Sequence, residues 1–244
     1  MSLKRGLVYT LLTQAPTLLL YFVASTVMTR LLGDTGRGEY TLITNLSTLL
    51  AMFMSLNVGF GITYFISKQP DDRARLIGTA ATILLLNALL VPIILLITAA
   101  IPSFSSIIMP ESRMHWGYWG FVYVNVMLSL LNTTISSVLL GYKRFSALNW
   151  MSLLNAGLSA GGMLVLFLAP RGGPGIDSLP MVLIVSTFTV ACVSVVWCML
   201  YAVHVGIAPK PVLSWPTLRP IVVFSLIGHV SNLINLINYR FDVW

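Results

Sequence analysis

Five residues near the end of the chain have side chains able to bind or hold something, and a spacing that brings them together. Ser225, Asn232, Asn235, Tyr239 and Asp242 lie in the stretch SLIGHVSNLINLINYRFDVW, residues 225–244. At about 100° per residue, these five and Gly228 share roughly a 100° arc of a helix. Val230, Leu233, Ile237 and Phe241 fall elsewhere. A carboxylate among apolar neighbours costs about 2.5–3.5 kcal/mol at the centre of a membrane helix. Lipid offers such a seam nothing to bond to, so it must face protein or water. The seam is read as the lining of an aqueous cavity. Arg240 lies about 80° from Asn232, off the seam, but its long guanidinium can reach around the helix to an anionic group.

Other candidates for chemistry are fewer. His115, His204 and His229 have no partners at metal-ligand spacing. No HExxH, no GxSxG and no paired loop carboxylates occur, so an enzyme is not the expected class and no cofactor or metal is called for. Arg171-Gly-Gly-Pro-Gly175 lacks a following Lys-Ser/Thr and reads as a turn, not a phosphate loop. Cys192 and Cys198 are six residues apart in an apolar run, point to different helix faces, and read as small buried hydrophobes. At the opposite end of the chain, Arg30, Asp34, Arg37 and Glu39 surround Gly33, Gly36 and Gly38. Read structurally, this is a tight hairpin with a solvated charge cluster. The functional alternative has Arg30, one turn inside the membrane edge, reaching a central cavity to meet an anionic substrate.

The elements that must position these residues are membrane helices. The 244 residues are 57% hydrophobic and 9% charged, against about 25% charged in a soluble domain. A span needs about 20 apolar residues. Six such runs occur at about 7–32, 40–67, 76–101, 116–140, 145–169 and 179–203, and a seventh begins near Pro216 and stops at Trp244 inside its apolar pattern. It is expected to be a truncated helix. Lys4 and Arg5 followed by a run reaching Leu32 form a retained first span and not a signal peptide. Pro92 is expected to kink the third span.

The net charge of +7 does not signal nucleic acid, because the charges sit in short loops with no basic, aromatic-interleaved patch. With the N-terminus inside, Lys4, Arg5, Lys68, Arg73, Arg75, Lys143, Arg144, Lys210 and Arg219 are inner, whereas Arg30, Arg37, Arg113 and Arg171 are outer. That bias favours a cytoplasmic N-terminus. Trp116, Tyr118 and Trp119 are expected to anchor the outer end of the fourth span in the interface. Gln14, Asn45, Asn57, Asn87, Asn125, Asn132 and Asn155 are scattered singly through the spans and read as interhelical packing groups, worth about 0.6 kcal/mol each.

Three stretches in order carry a family resemblance. Thr29-Arg-Leu-Leu-Gly-Asp-Thr-Gly-Arg-Gly-Glu-Tyr40 resembles the first hairpin of the polysaccharide (O-antigen/oligosaccharide, Wzx-like) flippases of the multidrug/oligosaccharidyl-lipid/polysaccharide exporter superfamily. Leu139-Leu-Gly-Tyr-Lys-Arg-Phe145 resembles that family's inner loop between spans four and five, and Asn238-Tyr-Arg-Phe-Asp242 its seventh helix. The resemblance implies an all-α polytopic membrane protein: a six-helix, MATE-like N-terminal lobe (1–203), an inner linker (204–216) and the truncated start of a second lobe (217–244). It also implies flipping of a lipid-linked oligosaccharide across the inner membrane for cell-surface polysaccharide synthesis. Arg30, Ser225, Asn232, Asn235, Tyr239, Arg240 and Asp242 would line the cavity. The expected partners are the lipid-linked oligosaccharide, membrane lipid, and glycosyltransferases or a polymerase of the same pathway. Two alternatives stand beside it. One is a multidrug or cation antiporter of the same superfamily, the other a non-transporting scaffold in a polysaccharide-synthesis complex.

Overall fold

The computed structural model describes residues 3–101, 116–169 and 178–241, with side chains for 13–101, 117–169 and 179–234. Among these residues the chain is all-helical. It forms α1 (Leu3–Ser55), α2 (Val58–Lys68), α3 (Arg73–Ala100), α4 (Trp116–Gly141), α5 (Phe145–Leu168), α6 (Ser178–His204) and α7 (Trp215–Phe241). Six of the seven are long and apolar enough to cross a membrane; α2 is too short. Their outer faces expose Phe22, Leu89, Leu96, Val165, Phe188 and Met199. A water-facing surface does not tolerate so continuous an apolar coat, so lipid covers it. The protein is an all-α, multi-pass membrane protein.

The first expected span and the second as far as Ser55 are one helix, α1, bent at Gly33, where φ is 65° and ψ −174°. Only a residue without Cβ adopts that backbone readily. On a straight helix Ala24 and Ile43 would lie about 28 Å apart. Here Ala24 shares a buried cluster with Val182 and Ile43 another with Leu183, the neighbouring residue of α6, and Leu32 and Tyr40 pack against both clusters. The Gly33 bend therefore folds α1 back on itself. At the bend, Arg37 donates to the Thr29 hydroxyl. α4 is the hub of the lobe: α1, α2, α3, α5 and α6 all pack on it.

The second span departs from expectation. The residues 40–67 do not form one helix. α1 ends at Ser55, Leu56 and Asn57 take left-handed backbone (φ 43° and 54°), and α2 restarts at Val58. Asparagine tolerates this conformation and leucine does not, so Leu56 holds roughly 1–3 kcal/mol of strain. Pro92 lies inside α3, which is continuous from Arg73 to Ala100. Trp119 is not an interfacial anchor: it is buried with Ile43, Val122 and Leu179. Cys198 is exposed and not buried; both cysteines are free.

Candidate functional site at a broken membrane helix

Counted from Lys68 taken as the membrane edge, the break between α1 and α2 lies deep in the membrane. Asn57 is eleven residues from Lys68, or about 16 Å along a helix, half of a ~30 Å hydrocarbon core. Backbone polar groups freed at that depth must be met by protein or water. Ser55 supplies part of the answer: its hydroxyl donates to the Met52 carbonyl (2.9 Å) and accepts the Asn57 N–H (3.3 Å). The Phe60 N–H takes the Asn57 carbonyl (3.0 Å).

α7, running antiparallel to α2, supplies a further partner. The Gly61 N–H donates to Ser225 Oγ at 3.2 Å, and Ser225 is fully buried. The helices meet so closely that a Cβ on Gly61 would lie 2.8 Å from the Ile221 carbonyl oxygen. One turn deeper, Asn57 Nδ2 lies against Gly228, and beside it the His229 ring meets Phe53 edge-on at 6.4 Å. Toward the basic end of the interface, Tyr64 stacks on Phe224 at 4.7 Å, and Lys68 donates to the Tyr64 hydroxyl. Aromatic packing thus closes one end of this interface, and polar groups occupy its middle.

Among the described residues, three buried polar atoms have no hydrogen-bond partner: Asn57 Nδ2, His229 Nδ1 and Asn132 Oδ1. Two of the three belong to this junction. Such atoms cost about 1–3 kcal/mol each when left unsatisfied. On the other side of the break a small cavity of about 20 Å³ is bordered by Ser55, Asn87, Thr133 and Thr134, room for about one water. The junction is therefore a polar layer drawn from α1, α2, α3, α4 and α7. It offers one amide N–H donor and one imidazole nitrogen without protein partners, and it lacks carboxylates. Such a layer can hold a neutral hydrogen-bonding group or pass a proton. No group of three or more His, Cys, Asp or Glu suited to a metal occurs among the described residues.

The sequence-expected site divides. Ser225 faces α2 as a packing and capping group and not an open surface. Asn232 is exposed. Arg30 is exposed on α1 close to the Gly33 bend. The backbone of Asn235, Tyr239 and Arg240 continues α7. Their side chains, and Asp242, lie outside the described residues. His229 was passed over by metal-ligand reasoning, although Ser225 and His229 have the i, i+4 spacing that puts both on one helix face. Asn57 was read as an ordinary packing asparagine. The signal for it was Leu56-Asn57 followed by Gly59 and Gly61 within one apolar run, a concentration of helix-weak residues.

Compared with family models, with curated proteins and with solved structures, the chain matches none.

Proposed function

We propose that this chain is one lobe of a membrane transporter that flips a lipid-linked oligosaccharide across the inner membrane, with a cytoplasmic N-terminus. The observation that supports transport is the helix break at Leu56–Asn57, in mid-membrane, with unpartnered polar atoms on both helices that meet there. Discontinuous helices at the bilayer midplane are where secondary transporters place their binding and coupling groups. The choice of an oligosaccharide substrate rests on the sequence resemblance at residues 29–40, 139–145 and 238–242. In this reading neutral donors and acceptors at the polar layer and along α7 hold sugar hydroxyls. Basic residues such as Arg30 and Arg240 meet the pyrophosphate.

The test is a chromosomal deletion in the producing cell. Lipid-linked glycan should accumulate in the cytoplasmic leaflet, detected by leaflet-restricted glycan labelling of spheroplasts. A deletion strain with normal glycan distribution rules the reading out.

A further inference from the structure

Among the described residues, His229 is the one member of the polar layer whose charge solvent can change. Histidine gains and loses a proton near neutral pH, where amides and hydroxyls do not. The His229 ring is buried, and its Nδ1 meets neither a donor nor an acceptor. A neutral imidazole carries one N–H and one free lone pair. At Nδ1 no described protein group competes for either.

The charged form of this ring has no counter-charge in the junction. Its described neighbours are Phe53, with ring centres 6.4 Å apart, and Asn57, whose Nδ2 lies against Gly228. Of the elements packed on α7, α2 carries Tyr64 and Lys68, and α3 carries Arg73 and Arg75, all toward the basic end. Arg219 of α7 and Lys210 of the linker belong to that end too. α1, which supplies Phe53, carries Arg30, Asp34, Arg37 and Glu39 around the Gly33 bend. Glu39, the nearest of these in sequence, lies about 21 Å from Phe53 along the helix. An imidazolium enclosed here faces an amide donor and an aromatic ring, with no described carboxylate, and burial penalises it heavily.

The junction is held at one end and unheld at the other. The bond from the Gly61 N–H to Ser225 and the stack of Tyr64 on Phe224 fasten α7 to α2 toward the basic end. At the level of His229, Asn57 Nδ2 and the ring Nδ1 both lack a partner. Phe53, against the ring, is half-exposed, and Asn232, three residues along α7, is exposed. Water therefore lies one side chain away from the imidazole.

We propose that His229 is a proton-binding site and that its protonation opens the α2–α7 junction. The proton leaves hydronium in the adjoining water and binds the free ring nitrogen, which turns the ring from neutral to singly positive. Its return to water restores the neutral ring and the closed junction. The cation needs water, so Phe53 is displaced and α7 swings away from Asn57 about the contact at Ser225. The sign is opening on acidification. The inference rests on the geometry of the junction and not on the flipping reading.

The experiment uses the full chain carrying Cys192→Ser and Cys198→Ser in phosphatidylcholine nanodiscs. Nitroxides are attached at Phe60→Cys and Ile227→Cys, exposed positions on α2 and α7. Their separation is measured by pulsed electron paramagnetic resonance at about pH 8 and about pH 5.5. A single short separation is expected at the higher pH. At the lower pH a longer one should gain population, by up to about tenfold per pH unit for a one-proton step. His229→Gln and His229→Phe, neutral at both pH values and unlike in shape, should each keep the short separation throughout. In the parent, the His229 imidazole nitrogen resonance, identified by its loss in His229→Gln, should move to the protonated position over the same range. No glycan is present, so these outcomes are independent of the export test. A separation that ignores pH in the parent, a response that survives in either variant, or a resonance that stays neutral overturns the proposal.

Discussion

At the scale of single residues, Asn57 and His229 carry opposite expectations. Asn57 sits at φ 54°, where a β-branched side chain clashes with its own backbone. Asn57→Gly should unfold in detergent within about 0.5 kcal/mol of the parent, and Asn57→Val should lose about 1–3 kcal/mol. Equal melting temperatures for the two would show that the left-handed turn is not held. His229 is 6% exposed with Nδ1 unpartnered. A buried polar atom without a partner does not stabilise a fold, so His229→Phe should keep stability within about 1 kcal/mol. Its retention in the membrane at that cost points to function, and glycan export by the same variant should fall. A variant that unfolds easily yet exports normally reverses the assignment. Ser225 differs again: its hydroxyl satisfies the Gly61 N–H, and its loss is structural.

At the scale of the element, α7 is attached to the lobe by its contact with α2. Gly61→Leu drives a side chain against the Ile221 carbonyl, which cannot move aside without shifting the helix. About 1–3 kcal/mol of overpacking is expected. Protease cleavage in the linker, residues 205–214, should quicken in this variant as α7 separates; an unchanged cleavage rate would count against the α2–α7 interface. The polar seam of α7 is also resolved into two parts. A cysteine at Ser225 should resist a small polar thiol reagent because that position is fully buried, whereas one at Asn232 should react if the exposed stretch of α7 borders water. Both would be placed in a background lacking Cys192 and Cys198. Labelling at Ser225 with none at Asn232 contradicts the placement of α7.

At the scale of the whole molecule, the arrangement of charge sets orientation. Lys68, Arg73, Arg75, Lys143, Arg144 and Lys210 belong to the end of the lobe opposite the Gly33 bend. Under the proposed reading, the positive-inside rule would place that end in the cytoplasm. An alkaline phosphatase fused after Ser105 should be active in the periplasm and one after Lys143 silent; the opposite pattern inverts the protein. Export adds a second measurement. If the proposed reading holds and this chain is one of two lobes, these 244 residues by themselves should not restore glycan export to a flippase-null strain. Restoration would show that copies of this chain pair to form the pathway, or that the family reading is mistaken.

What the sequence by itself determined is what composition and local backbone preference control. A chain 57% apolar, with charges gathered in short loops and apolar runs of about 20 residues, reads as membrane helices, because lipid admits only helices and closed barrels and runs of that length suit the helix. The glycine-rich turn at 30–40 was legible because glycine readily takes the positive φ that bends α1, and of Gly33, Gly36 and Gly38 it is Gly33 that takes it. The spans expected at 76–101, 116–140, 145–169 and 179–203 followed to within a few residues, whereas the one at 40–67 is interrupted after Ser55. The tertiary structure alone decided which polar groups matter. Periodicity placed Ser225 and Asn232 on one arc, but only the crossing of α2 buried the first and left the second exposed. Asn57 resembled six other intramembrane Gln and Asn residues until α7 approached it at Gly228. Trp119 had the composition of an interfacial anchor, yet α1 and α6 close over it. Hydropathy is a sum over neighbours in sequence, whereas the demand for a hydrogen-bond partner is set by neighbours in space, and the broken helix arises from that second demand.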